Sequence, residues 1–146
     1  MSGLKLHHVV FFVSLALLAS SIPSRAEPFE KWTVHIVNGL GGGRTLFAHC
    51  KSKDNDIGLR NLTAGTEFNW SFKNNFGGTT LFYCYLRTDH KQYASFDVFW
   101  IEKHDDWLGL RCHNKDCIWT AKNDGVYIRN LSTKQDEFIH PWGTHW

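Results

Sequence analysis

The chain has no surplus of charge and very little greasy length. Its 16 Lys and Arg stand against 14 Asp and Glu, and two of the bases, Lys5 and Arg25, lie near the N-terminus, leaving the remainder neutral. A neutral protein without a run of Lys and Arg has no electrostatic reason to seek nucleic acid or anionic lipid. The longest apolar run, Val9 to Ala19 broken only by Ser14, is 11 residues, against the roughly 20 needed to cross a bilayer. Membrane insertion is not expected.

The signatures of chemistry are missing as well. No Gly-x-Ser-x-Gly nucleophile elbow occurs, so the commonest serine-hydrolase turn is excluded. The triple glycine Gly41 to Gly43 is followed by no Gly-Lys-Ser/Thr and cradles no phosphate. Asp54-x-Asp56-x-Gly58 lacks a third ligand before its glycine, and Ala64 stands where a calcium loop needs glutamate. There is no Cys-x2-Cys pair, and His49 and His113 directly adjoin cysteines, a spacing that defeats zinc. Two histidines among His35, His49, His90, His104, His113, His140 and His145 could make an acid–base pair, but nothing in the sequence joins any two. No pair of acids is singled out for glycoside hydrolysis either. The expectation is a non-enzyme with no cofactor and no metal.

What is present begins with a leader. Lys5, His7 and His8 precede the short apolar run, Pro23 ends it, and Ser24-Arg25-Ala26 offers small residues at the two positions that a signal peptidase reads. Residues 1–26 are expected to be a secretory signal and residues 27–146 one domain. Export fits the four cysteines, Cys50, Cys84, Cys112 and Cys117, whose even number predicts two disulfides. Direct pairing of Cys112 with Cys117 would close only a tight loop. Cross-links from these two to Cys50 and Cys84 would each stabilise by roughly 3–4 kcal/mol through loop-closure entropy, and that arrangement is expected. Three sequons, at Asn61, Asn69 and Asn130, also fit export, and at least one is expected to carry a glycan.

Period-two alternation runs through most of the chain. Trp32, Val34 and Ile36 share one phase; Phe68, Trp70 and Phe72 share another; Phe96, Val98 and Trp100 form a third comb. Thr45 to Lys51, Thr79 to Leu86, Cys117 to Lys122 and Val126 to Asn130 also read as strands, separated by Gly39 to Gly43, Asp54 to Gly58 and Asn74 to Gly78. Asp124-Gly125 predicts a tight hairpin with positive φ at both central residues. Ile101 to Leu110 reads as a loop or one helical turn. No sustained helical stripe appears. Seven or eight short strands imply an all-β, antiparallel β-sandwich, a closed barrel being the alternative. Most strand tryptophans and phenylalanines belong to the core on this phase, along with Trp119. Trp107, Trp142 and Trp146 lie in irregular sequence and would form a contact surface, such as a sugar site, if exposed.

In their joint order these pieces resemble the plant self-incompatibility S-protein family, the S-protein homologues. The resemblance rests on Val34 to Asn38, His49-Cys50-Lys51-Ser52-Lys53-Asp54-Asn55-Asp56-Ile57-Gly58, Leu62, Gly65 and Phe68-Asn69-Trp70-Ser71-Phe72. It continues through Phe76, Thr80-Leu81-Phe82-Tyr83-Cys84, Phe96-Asp97-Val98-Phe99, Cys112, Cys117-Ile118-Trp119 and Asp124-Gly125. It implies a small secreted sandwich with two disulfides, a monomer acting as an extracellular ligand for a plasma-membrane receptor. By the same resemblance, recognition would lie in loops between strands: Asp54, Asn55 and Asp56 in one, and Asp89, His90, Lys91 and Gln92 in another. The tail His140 to Trp146 matches no family pattern.

Overall fold

The computed structural model describes residues 30–74 and 78–145, the last two by backbone alone. The leader, part of the turn at residues 75–77 and Trp146 lie outside the described residues.

Alternation decides what each strand buries. In β1 (Lys31–Asn38), Trp32, Val34, Ile36 and Asn38 are buried, while Thr33, His35 and Val37 are half-buried on the outer face. β2 (Leu46–Lys51) buries Leu46, Ala48 and Cys50, and β5 (Phe82–Thr88) buries Phe82, Cys84, Leu86 and Thr88. The remaining strands are β3 (Asp56–Leu62), β4 (Glu67–Lys73), β6 (Tyr93–Phe99), β7 (Asp116–Lys122), β8 (Gly125–Asn130), β9 (Gln135–Pro141) and β10 (Thr144–His145). They form two five-stranded sheets, β4-β1-β7-β8-β9 and β10-β6-β5-β2-β3, packed as a sandwich. The inner faces meet around Trp119, Phe96, Phe99, Ile36 and Ile128, all essentially inaccessible. The Trp119 indole N–H donates to the Val98 carbonyl at 3.0 Å, so the largest core ring leaves no orphan donor.

The sandwich expected from alternation is present, with three strands more than alternation revealed. β3 is an edge strand exposed along most of its length, so its sequence carries no two-faced pattern. β9 begins at Gln135 and runs into the tail at His140 and Pro141, and β10 lies wholly within that tail. Two pairings are parallel, β1 with β7 and β10 with β6. Parallel neighbours need a long crossover, and here most of the second sheet lies between β1 and β7.

The cysteine pairing differs from expectation. Cys50 bonds Cys84, and Cys112 bonds Cys117. Register decides the first: the two residues are directly opposed on β2 and β5, with Cα atoms 4.1 Å apart and both side chains in the core. The second follows from a local reversal. Helix α1 (Trp107–Cys112) ends where His113 and Asn114 adopt left-handed backbone, φ 50° and 53°, which returns the chain to Cys117. A larger entropic gain from longer loops cannot act on thiols that the fold holds apart.

The helix itself lies in the segment read as a loop or one turn. Glu102 accepts the N–H groups of Leu108 and Gly109 at 2.9 and 2.8 Å, placing a carboxylate over the first turn. The hairpin between β7 and β8 also departs from expectation. Lys122 pairs with Gly125, so its two-residue turn is Asn123-Asp124, neither of which has positive φ. Gly125 does, at φ 153°, and a Cβ there would collide with the His140 carbonyl. Close approach of β9 makes glycine necessary.

Candidate functional site

The two stretches singled out for recognition sit at opposite ends of one sheet. β2 and β5 run antiparallel, with Lys51 opposite Tyr83 at one end and Leu46 opposite Thr88 at the other. Asp54, Asn55 and Asp56 follow Lys51, whereas Asp89, His90, Lys91 and Gln92 follow Thr88. A strand of this length separates them by roughly 20 Å. The fold does not join them into one patch.

At the first end, Ser52 closes the turn: its hydroxyl accepts the Asn55 N–H at 3.0 Å, and its own N–H donates to the Asn55 carbonyl at 2.7 Å. Asp56 is exposed, but its carboxylate is engaged locally. Its carboxylate accepts the Gly58 N–H at 2.8 Å and pairs with His49 Nε2 at 2.8 Å. The Gly58 hydrogen bond, then His49, holds the Asp56 carboxyl below the usual carboxylate range. Lys53, Asp54 and Asn55 are exposed. Among the described residues, the side chains of Lys53 and Asp54 have no hydrogen-bond or ion-pair partner. Beside them a groove of about 680 Å³ opens between this turn, Phe72 and Lys73 at the end of β4, and residues 79–83. Leu81 and Tyr83 on its wall are each 38% exposed.

The loops at the other end are tied together by internal bonds. Arg44 donates to Asp89 at 3.2 Å, to Gln92 at 3.0 Å and to Asn123 at 3.4 Å, drawing three loops together. Asp89 also accepts the Thr45 N–H at 3.2 Å, and that bond, then Arg44, keeps its carboxyl low. Gln92 is half-buried, its side-chain oxygen also accepting from Thr88 at 3.4 Å. Asp89, His90 and Lys91 are exposed, but of these three Asp89 alone has its side chain held by these bonds. Next to Arg44, Asn38 is fully buried at the end of β1. Its amide donates to the carbonyls of Arg44 and Leu62, both at 2.9 Å, and its oxygen accepts the Leu40 N–H at 3.0 Å. Sequence reading gave neither residue a role, because Leu62, Asp89, Gln92 and Asn123 lie far from them along the chain.

No catalytic pairing emerges from the histidines described. His35 lies on the outer face of the β1 sheet and His49 on the outer face of the β2 sheet, so the sandwich separates them. His35 has a carboxylate on each ring nitrogen, Glu67 at 2.7 Å and Asp116 at 2.9 Å. Burial works against its charge, but the hydrogen bonds to Asp116 and Glu67 outweigh burial and raise its pKa above 6.5. With both nitrogens engaged, it has none left to take a substrate proton. His140 lies tilted against Phe96 with ring centres 4.7 Å apart, and burial lowers its pKa. His113 pairs with the Ser132 hydroxyl at 3.0 Å. Among the described residues no three His, Cys, Asp or Glu are grouped to hold a metal. No helix among them is long and apolar enough to cross a membrane.

Among the described residues, Trp107 and Trp142 each have internal partners. Trp142 donates its indole N–H to the Lys122 carbonyl at 2.8 Å. Trp107 lies between Trp100, 5.9 Å away and stacked, and the Arg111 guanidinium at 4.0 Å. Both rings are half-buried. The sequons differ in setting: Asn61 on β3 and Asn69 on β4 are exposed, while Asn130 at the end of β8 is half-buried.

Comparison with known proteins accounts for this arrangement. Residues 33–142 match the family described as plant self-incompatibility protein S1. The chain is 43% identical over 117 residues to S-protein homolog 74 of Arabidopsis thaliana, covering 80% of this chain and 75% of that one. It is 34% identical over 118 residues to self-incompatibility protein S1 of Papaver rhoeas, covering 81% of each. A solved structure of SPH (self-incompatibility protein homologue) proteins, described as a widespread family of small, highly stable, secreted proteins from plants, matches in fold. Its TM-score is 0.58 at 21% identity, covering 82% of this chain and all of that one. The chain is a secreted protein and belongs to the plant self-incompatibility protein S1 family.

Proposed function

We propose that the protein is an extracellular recognition ligand, without catalytic activity, for a receptor in the plasma membrane of plant cells. Its receptor-facing end is the one that carries Lys53, Asp54 and Asn55 and the groove beside them. The observation that supports this choice is the contrast between the two ends of the β2 sheet. At the Arg44 end, Asp89 and Gln92 are consumed by internal hydrogen bonds. At the other, charged side chains with no internal partner rim a groove with exposed Leu81 and Tyr83. Free charges beside an apolar wall supply what a specific contact uses: desolvated area at the centre and a polar rim that sets partner choice.

The test is saturable binding of the labelled secreted protein to intact plant cells. Reversing Lys53 and Asp54 together (Lys53→Glu, Asp54→Lys) is expected to weaken binding at least tenfold while the melting temperature holds. Asp56 is a poor probe, since its reversal also breaks the His49 and Gly58 bonds. Equal binding by the double variant would overturn this assignment of the receptor-facing end. Turnover of RNA or cell-wall polysaccharide by purified protein, lost on substituting one histidine, would overturn the ligand reading.

A further inference from the structure

The exposed sequon on β3 faces a feature that neither recognition nor stability uses. Asn61 is the direct cross-strand partner of Phe47 on β2, and Phe47 is in turn the partner of Arg87 on β5. All three belong to the outer face of the sheet, where directly opposed side chains start roughly 5 Å apart. The Arg87 guanidinium lies over the Phe47 ring, 4.9 Å from its centre. A groove of about 330 Å³ runs beside these residues, walled by Thr45, Asp89 and Lys91. That volume is at the small end of ligand sites, and its lining has one aromatic ring with hydroxyl, carboxylate and ammonium groups around it.

The other two sequons lack this setting. Asn69 donates its amide to Glu67 at 3.3 Å on a flat face, and the Ser71 hydroxyl of its sequon is paired with Thr33 at 2.8 Å. Asn130 holds its own turn, accepting from the Ser132 and Thr133 N–H groups at 2.9 and 3.2 Å and donating to Glu137 at 2.9 Å. The Asn61 side chain has no hydrogen-bond partner among the described residues.

We propose that Asn61 carries an N-linked glycan whose first N-acetylhexosamine lies in this groove against Phe47. The donor is an oligosaccharide on a lipid pyrophosphate, met during export. Asn61 Nδ2 bonds to the anomeric carbon, the bond from that carbon to phosphate oxygen breaks, the lipid pyrophosphate leaves with the electron pair, and one Nδ2 proton is released. The sugar's axial C–H face lies against the part of the ring that Arg87 leaves uncovered, as apolar surface covers any aromatic. Its hydroxyls and acetamide meet Thr45, Asp89 and Lys91. The glycan then occupies the Arg44 end of the outer face and leaves the Lys53 end open, although the proposal does not depend on receptor binding.

The experiment uses the full chain secreted from plant or yeast cells. Glycopeptide mass spectrometry is expected to find Asn61 occupied. After endoglycosidase trimming to a single sugar at every occupied site, the protein is expected to melt roughly 2–5 °C above the equally trimmed Asn61→Gln variant, the size of one ring contact in a domain this small. In a Phe47→Ala background that gap is expected to close. An unmodified Asn61 peptide, or a gap of equal size without the ring, overturns the proposal. If Phe47→Ala does not fold, nuclear Overhauser contacts between the retained sugar and the Phe47 ring protons decide, and their absence overturns it.

Discussion

Asn38 reaches from the end of β1 in one sheet to the carbonyl of Leu62 at the end of β3 in the other, 2.9 Å away, and no water is needed to complete its bonding. Its amide serves two carbonyls, so replacing only that amide is informative. Asn38→Asp keeps the shape but sets a carboxyl oxygen against the Arg44 and Leu62 carbonyls. The expected loss is about 2–4 kcal/mol in urea unfolding, from two missing hydrogen bonds and unsatisfied buried acceptors. A loss below about 0.5 kcal/mol would mean that the amide does not hold the sheets together.

The two disulfides are expected to differ in worth. Cys50–Cys84 spans 34 residues and Cys112–Cys117 only 5. Loop-closure entropy gives about 4 kcal/mol for the first and about 2 kcal/mol for the second. Replacing each pair by alanine and comparing guanidinium midpoints should rank them in that order. Equal losses would show that local packing around α1, not chain entropy, sets the value of the shorter bridge.

Much of this architecture is written in the alternation of apolar residues, because burying one face of a sheet imposes period two on the chain. Trp32, Val34 and Ile36 are inward as their spacing predicts, and so are Phe96 and Val98. Pairing is another matter. Which cysteine meets which depends on the register of β2 against β5, a relation between residues 34 apart that no local pattern carries. The same holds for the site. The Asp54 and Asp89 stretches look alike as strings of polar residues, yet Arg44 claims one and not the other. Edge strand β3 was illegible because neither of its faces is buried for most of its length.

His35 makes stability depend on pH. Its pKa is raised in the folded protein by the carboxylates of Asp116 and Glu67, against an ordinary value of 6.5. The unfolded chain therefore loses this proton at a lower pH than the folded one. The stabilisation is fully present below about pH 6.5 and fades as pH rises through the higher folded value. The melting-temperature advantage of the native chain over His35→Gln, measured from pH 5 to 8, is expected to shrink across that window, while His140, whose pKa burial lowers, acts in the opposite sense in both proteins. An advantage of unchanged size would assign the pH dependence to another group.

Gly125 is expected to tolerate nothing larger. Gly125→Ala places a methyl group on the His140 carbonyl and forces a φ of 153° on a residue with a Cβ. A destabilisation of about 2–4 kcal/mol is expected by thermal or denaturant unfolding, from overpacking and backbone strain combined. Gly43→Ala, where a Cβ meets nothing within 4 Å but φ is also positive, isolates the backbone contribution and should cost about 1 kcal/mol. If the two variants lose the same amount, the approach of β9 is not what demands glycine.

The parallel seam between β1 and β7 dictates an order of events at birth. His35 on β1 and its partner Asp116 on β7 are 81 residues apart, so the first strand to enter the secretory lumen is among the last to find its neighbour. Until then β1 can be zipped only to β4, with its other edge unsatisfied and open to any passing strand. Chains of such high contact order fold slowly and aggregate while they wait. Lumenal chaperones are therefore expected to hold this protein longer than an all-meander sandwich of equal size.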